Sequence, residues 1–575
     1  MMNLLGFNIE GLDVPWFLAM TRLAFVAIAL LGAVMAARSS DGKRTGHIVF
    51  CVGMAGHLLA WFATVFPLEN VYGANGSMDR ENHLGWANVV ALGFSPLRTF
   101  QVDHLHFEPV WPLLTAVAAG FDVDRVTVIF QWAPLIVGLA LLCSVRFAWV
   151  RGMKTAGQPE TEAAFAALGA LLLMAVPGDF SGPFRNPWAL TFLLKPNHAL
   201  GLVLVPLAAL AISRSSTWKS RLFAGFVLQL VGWAFVIHMA LFVAGLVVFV
   251  ALSWATRRAE RMKDLIDVGT AIGANLLIVS PYLVMLVVAY PFLEGSDAYR
   301  LSPFSERPLE GPFRLGALFL VSAFGAWRAY VQEGRLGRIL ASQWLAAHIV
   351  WQAFPILGLF GQAREQDEAF YWCRFWTGLF AGVGLFQAAR LVVSKVRTDR
   401  TGNHGLRVGA SAAVALTLLL PSLLPVWWDP SGMDQYFVAA RKPIPDWIAE
   451  PTRFIRTNTP IEAVFTGDRI YARWISAYGA RRVLLSNSLN RPNDHAHRME
   501  IENAILRTGP EPLIVEGRQR YSLQYVLATS SPMEQAPDVT LDQLKTRPHL
   551  ETVYDHQFAN TRVVIFRILP ESGKK

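Results

Sequence analysis

Apolar runs of about 20 residues, separated by short charged breaks, recur along the chain from near residue 14 to residue 428. A run of that length lets a helix cross roughly 30 Å of hydrocarbon while satisfying its own backbone hydrogen bonds. The breaks predict spans at 14–36, 47–67, 126–150, 161–177, 192–213, 221–236, 239–256, 266–290, 312–331, 339–358, 374–394 and 408–428. The stretch 221–256 is too long for one span and too short for two full ones. It predicts a hairpin of two short helices turning near His238.

From Trp428 onward the pattern changes. Short β-branched or aromatic runs at Ala463–Phe465, Val483–Leu485, Tyr525–Ala528 and Val563–Ile568 read as strands, and 495–507 and 540–545 as helices. The expected fold class is therefore a polytopic α-helical membrane protein of about 12 spans with a C-terminal soluble mixed α/β domain. The expected domains are a transmembrane region over 1–428, carrying an outer loop at 68–109, and an α/β domain over 429–575. No internal repeat or low-complexity tract interrupts this layout.

Composition agrees: 53% of the 575 residues are hydrophobic and 16% charged, against about 25% charged in globular chains. The net charge of +9 does not point to nucleic acid, because Lys and Arg sit in short loops between apolar runs rather than on one face. Arg38, Lys43 and Arg44; Arg146, Arg151 and Lys154; Arg214, Lys219 and Arg221; Arg257, Arg258, Arg261 and Lys263; Arg335 and Arg338; and Lys395, Arg397, Arg400 and Arg407 occupy alternate connections. Those connections are expected to be cytoplasmic. The loops at 68–109, 178–191, 291–311 and 359–373 are poorer in positive charge and are expected outside, as are the N-terminus and the C-terminal domain. The localisation implied is an integral, multi-pass protein of the cytoplasmic (inner) membrane whose C-terminal domain is periplasmic or extracellular. The first positive charge, Arg22, lies inside the first apolar run, so that run reads as a retained span rather than a signal peptide. Cys51, Cys143 and Cys373 lack paired spacing and read as packing residues.

Candidate chemistry concentrates in the first outer loop. Asp79, Glu81, His83, Asp103, His104, His106 and Glu108 fall within 30 residues of one another. Asp79 and His83, four apart, share a helix face, and Leu84, Trp86, Ala87, Val90 and Ala91 predict an apolar side laid on the bilayer interface. The plain alternative is a solvated connector. Another is a divalent metal held by His104, His106 and a carboxylate, a ligand set suited to Zn²⁺ or Mn²⁺, although the spacing matches no recognised metal motif. No cofactor is otherwise indicated.

The stretch Asp79-Arg-Glu-Asn-His83-Leu-Gly-Trp-Ala-Asn-Val-Val-Ala-Leu-Gly93, followed by His104-Leu-His-Phe-Glu-Pro109-Val-Trp-Pro-Leu-Leu114, is similar to the first outer loop of GT-C superfamily glycosyltransferases. In that family an Asp at this point, usually followed by another acid, is the catalytic base toward the acceptor hydroxyl. Asp79 is the matching position. Here Arg80 follows it and Glu81 comes one later, a departure from the commoner Asp-Glu pair that leaves open which acid acts. Lys195-Pro-Asn-His198, His238 at the hairpin and Arg374-Phe375 resemble family positions around the donor phosphate. The tail resembles the family's outer domain in Phe454-Ile-Arg-Thr-Asn-Thr-Pro460, Arg491 and Val564-Ile-Phe-Arg567.

The resemblance implies a membrane glycosyltransferase, of inverting mechanism, that moves a sugar from a polyprenyl-phosphate donor to a glycan, lipid or protein acceptor, with membrane lipid around it. Asp79, Glu81 and His83 are the catalytic candidates. Lys195, His198, His238, Arg374 and Arg185 are candidates for the donor phosphate, and Asp103, His104, His106 and Glu108 for the acceptor or a second acidic group. The residue types suit the chemistry: a carboxylate accepts the acceptor's proton, and cations, Arg above all, hold the growing charge of the leaving phosphate. Arg300, Arg307 and Arg364 are further outer-side cations. Each has a plain reading as well: Lys195 as a snorkelling helix-end residue, His238 as a core histidine, Arg374 as the partner of Asp367 or Glu368. A transporter or flippase of a lipid-linked saccharide and a non-catalytic scaffold are the competing functions. The absence of a visible repeat argues against the former.

Overall fold

The protein is seen here as a computed structural model that describes residues 21, 24–32, 35, 42–65, 78–103, 108–153, 159–173, 196–289, 317–332, 334–358, 366–395, 444–486, 494–507, 511–531, 533 and 536–570. After a helical stretch at 24–32 come α1 (Gly42–Val65), α2 (Met78–Ala91), α3 (Val110–Ala118), α4 (Val123–Gly152), α5 (Pro159–Leu173), α6 (Pro196–Ser213), α7 (Trp218–Ala234), α8 (Val236–Thr256), α9 (Arg261–Ala289), α10 (Ala317–Gln332), α11 (Gly334–Gly358) and α12 (Gln366–Lys395). The C-terminal part runs α13 (Asp446–Asn458), β1 (Val464–Gly467), α14 (Arg469–Ala477), β2 (Arg482–Val483), α15 (His495–Leu506), α16 (Glu511–Tyr521), β3 (Leu523–Thr529), α17 (Leu541–Lys545), β4 (Leu550–Gln557) and β5 (Arg562–Ile568). The fold is thus mostly helical with a C-terminal α/β region. The span expected at 408–428 lies outside the described residues.

Two compact units emerge. The first comprises Met1–Val65, Pro134–Pro281 and Asp297–Val438, and the second Phe66–Ala133, Tyr282–Ser296 and Ala439–Lys575.

The first unit is a helical bundle. Among the described residues, α4 and α8 are long and apolar enough to cross a bilayer by length and composition. Glycines bring helices into backbone contact: a Cβ on Gly169 of α5 would stand 2.2 Å from the Gly378 carbonyl oxygen of α12, and one on Gly384 2.1 Å from that of Val321 in α10. Apolar side chains cover the outside, with Leu277 76% and Leu320 69% exposed.

The bundle's polar groups gather where its connections meet. Thr217 and Ser220 form a reciprocal capping box that starts α7. Arg221 Nε lies 2.7 Å from Asp267 Oδ1, Arg335 pairs with Asp264 at 2.9 Å and Asp267 at 2.8 Å, and Arg338 pairs with Glu260. Ser253 donates to Asp264, Arg335 to the Ser215 carbonyl and Arg214 to that of Arg151. Four of the six basic connections picked out in the sequence therefore lie together at one end. The start of α7 and the end of α8 both reach this end, so the two helices form the expected hairpin. Its turn falls at Phe235, the one residue between them, which is fully extended at φ −159° and ψ 108°, three residues before His238.

The second unit is built on a five-stranded sheet of order β2-β1-β3-β5-β4. β1 runs parallel to β2 and β3, while β5 is antiparallel to both β3 and β4. β1 is buried along its whole length, as expected of a strand covered on both faces. β4 has a mostly exposed, polar side-chain row.

The segment expected to be an outer loop is part of this unit. Val102 N donates to the Val483 carbonyl and Val483 N to that of Phe100, both at 3.0 Å, so the segment joins the sheet through a parallel bridge between Gln101 and Val483. Val102 enters the same hydrophobic core as Val464, Ile501 and Val526. Arg498, 1% exposed, donates to the carbonyls of Val102 at 2.5 Å and Leu484 at 3.2 Å.

Candidate active-site elements

Asp79 is the second residue of α2, where the helix dipole favours a carboxylate. Beyond it, α2 turns one face to α14. Glu81, Gly85 and Asn88 recur at spacings of four and three, a single helix face. Glu81, 4% exposed, accepts a hydrogen bond from Trp474 Nε1 at 3.0 Å and faces Arg473 Nε at 3.1 Å. Asn88 Nδ2 donates to the Ser476 and Ala477 carbonyls at 3.2 and 2.8 Å. At Gly85 an added Cβ would meet Ser476 Cβ at 2.9 Å, so its lack of a side chain lets the helices close. Leu84, Trp86, Ala87, Val90 and Ala91 are all buried within the unit. This corrects the expected bilayer-facing side: the helix is apolar because protein covers it.

His83 is buried edge-on to Trp86, ring centroids 4.7 Å apart, and Trp86 stacks on Phe100 at 6.3 Å. Asp103 is exposed, takes a left-handed φ of 53° and pairs with Arg98 at 3.1 Å. Glu108 is buried. His104 and His106 lie outside the described residues, so the expected metal set falls there too. Among the described residues no three His, Cys, Asp or Glu side chains gather as a metal site.

In the helical unit, α6 begins at Pro196 and carries His198 on its first turn. Phe235 at the hairpin turn stacks on His198, centroids 3.8 Å apart, and meets His238 edge-on at 4.6 Å. The two histidine rings are 5.8 Å apart, and Trp372 of α12 lies 5.1 Å from His238. Three elements distant in sequence thus bring His198 and His238 together. Arg374 is buried two residues beyond Trp372 on α12. Lys195, Arg185, Arg300, Arg307 and Arg364 lie outside the described residues.

Sequence reasoning missed Phe235 and Trp372, which nothing local sets apart from the chain's many other aromatics. It also missed Arg473 and Trp474, because nothing local marks residues whose partner, Glu81, lies hundreds of positions away. Of the three cysteines expected as packing residues only Cys373 is buried, while Cys51 and Cys143 are exposed; Cys373 contacts His348 Nδ1 at 3.4 Å, and His348 Nε2 meets Thr377 Oγ1 at 3.1 Å.

No protein-family model matches the chain, and no curated protein matches it in sequence. Solved structures do share its fold. ArnT from Cupriavidus metallidurans in the apo state is 16% identical, with a TM-score of 0.52 over 91% of this chain and 98% of that one. The apo oligosaccharyltransferase of Archaeoglobus fulgidus is 13% identical, with a TM-score of 0.50 over 89% of this chain and 70% of that one. Both are glycosyltransferases of the GT-C type.

Proposed function

We propose that this chain is an integral membrane glycosyltransferase of the GT-C type, transferring a sugar from a polyprenyl-phosphate donor to an acceptor at the outer face of the cytoplasmic membrane. The observation that carries this reading is fold correspondence along nearly the whole of both chains with ArnT. The apolar exterior of the helical unit supports a membrane setting, because large exposed apolar surfaces are not stable in water. Aromatic rings with cations over them, Lys219 on Trp218, Arg261 on Trp254 and Arg328 on Trp327, suit a headgroup-level belt. About twelve spans, with the basic connections on the cytoplasmic side, follow from the sequence pattern.

Asp79 is assigned as the general base. It takes the acceptor's hydroxyl proton as the acceptor oxygen bonds to the anomeric carbon and the bond from that carbon to the phosphate oxygen breaks, inverting the configuration. Lys195, His198, His238, Arg374 and Arg185 are assigned to the departing polyprenyl phosphate, where fixed cations and N–H donors offset the charge that develops in the transition state. Asp103, His104, His106 and Glu108 are assigned to the acceptor side.

The test uses the full chain in nanodiscs with a panel of undecaprenyl-phosphate monosaccharides and envelope glycolipids as acceptors, following release of undecaprenyl phosphate. The wild type is expected to turn over one donor of the panel. Asp79→Asn is expected to lose that turnover while keeping its expression and melting behaviour. Wild-type turnover by Asp79→Asn would show that the base is another residue.

A further inference from the structure

We infer that Glu81 is a positioning residue, held by Arg473 and Trp474 of the C-terminal α/β segment so that α2 presents position 79 in one fixed orientation. The inference rests on the reading of Asp79 as proton acceptor and assigns the neighbouring acid a different task.

The geometry separates the two acids. At 3.6 residues per turn, position 79 lies about 200° around the α2 axis from position 81. Position 81 belongs to the face turned to α14 and position 79 to the face turned away. One oxygen of Glu81 accepts from Trp474 Nε1 at 3.0 Å, and the other faces Arg473 Nε at 3.1 Å. Arg473 in turn lies over the Trp474 ring, 5.1 Å from its centroid. Tyr471 packs edge-on to that ring at 4.9 Å, Trp447 does so at 5.3 Å, and the Tyr471 hydroxyl donates to the Trp447 carbonyl at 2.7 Å. Trp474, the donor to Glu81, is therefore itself held from behind.

A carboxylate engaged in this way is poorly disposed to receive a proton from a substrate. It is well disposed to stop α2 from rotating, and the Asn88 contacts to the end of α14 fix the same face seven residues on. Rotation of α2 would displace Asp79 along an arc, and misplacement of a catalytic group by about 1 Å costs on the order of 100-fold in rate.

The experiment compares Asp79→Asn, Glu81→Gln, Arg473→Gln, Trp474→Phe and the double variant Glu81→Gln/Arg473→Gln in the undecaprenyl-phosphate release assay. Glu81→Gln and Arg473→Gln are expected to lower kcat about 10- to 100-fold with KM for the donor unchanged and the acid limb of the pH profile at its wild-type position. The double variant is expected to be no worse than the worse single one, because both remove the same contact. Trp474→Phe removes only the N–H donor and carries the test if Glu81→Gln fails to fold. Wild-type kcat in Glu81→Gln, or additive losses in the double variant, would overturn the positioning role while leaving Asp79 as base. Complete loss in Glu81→Gln with wild-type turnover in Asp79→Asn would instead make Glu81 the base and overturn both assignments.

Discussion

Arg335 Nη2 lies 2.8 Å from Asp267 Oδ2, and the Asp267 side chain has no exposed surface. Arg221, from a second helix, holds the other oxygen. A buried carboxylate between two guanidinium groups ties the start of α7, the start of α9 and the start of α11 together at one end of the bundle. Removing one member of a buried pair leaves the other charged and desolvated, at a cost of about 3–5 kcal/mol. Asp267→Ala is expected to lower the apparent Tm of the detergent-solubilised protein by ~2–4 °C, read by dye-reported melting. An unchanged Tm would show that the network does not stabilise the bundle.

Phe235 touches both His198 and His238, so it sets the spacing of the two rings. Phe235→Ala is expected to destabilise the bundle by about 3–5 kcal/mol through the cavity it leaves. His238→Ala and His198→Ala are expected to reduce turnover about 10- to 100-fold, the scale of losing one donor to a developing charge. Stopped-assay kinetics on the folded variants checks this, and wild-type kinetics would remove the histidines from the phosphate-binding set.

Gly382 of α12 has no room for a side chain: a Cβ there would stand 2.0 Å from the Phe165 carbonyl oxygen. Small residues let helices approach within backbone contact in a membrane, where packing rather than the hydrophobic effect drives association. Gly382→Val is expected to cost at least the ~1–3 kcal/mol of an overpacked core and to reduce the monodisperse peak in size-exclusion chromatography. Valine at Leu391, an exposed position nine residues further along α12, serves as the control.

Asp494 contributes to the acid sensitivity of the α/β unit, as do Asp555 and Glu516, whose carboxyls are also held low. Burial works to raise the pKa of Asp494, but hydrogen bonds from Tyr521 and Arg498 outweigh burial and hold the carboxyl below its ordinary value of 3.8. Burial and the bond to Asp494 push the Tyr521 hydroxyl up to about 12. A lowered folded-state pKa means that the stabilisation is present above pH 3.8 and is lost as pH falls through the lowered value. Asp494→Asn is expected to weaken the unit near neutral pH by roughly 1.5–3 kcal/mol, the worth of a hydrogen bond to a charged group. It should also flatten the decline in stability below pH 4. Acid titration followed by hydrogen exchange at the Val102 amide, which belongs to the residue whose carbonyl Arg498 links to this carboxyl, checks both. An equally steep decline in the variant would assign the acid sensitivity elsewhere.

The helical elements were readable because each carries its own signal. A run such as 236–256 is apolar throughout, and the charged breaks that bound it are local as well. The α/β region was only partly readable. Strands β1, β3 and β5 stood out through buried β-branched and aromatic residues, whereas β4 did not. Its sequence Leu-Glu-Thr-Val-Tyr-Asp-His-Gln is that of an edge strand whose exposed side chains meet solvent, and its pairing with β5 supplies what local propensity does not. Helices α13, α14 and α16 were not read from the sequence either, and α14, mostly buried, packs on α2 through contacts hundreds of positions away.

The candidate site divides along the same line. Residue chemistry and spacing pointed to Asp79, Glu81 and His83, since ionisable groups beside apolar runs are costly without a use, and the resemblance to GT-C glycosyltransferases added His198, His238 and Arg374. Only tertiary structure separated Asp79 from Glu81, by setting Arg473 and Trp474 against one face of α2, and only it brought the His198 and His238 rings around Phe235. Helix formation and apolar burial depend on neighbours a few residues away, and the one-dimensional pattern records them. A contact between residues hundreds of positions apart depends on how the folded chain returns on itself, and no local pattern carries that information.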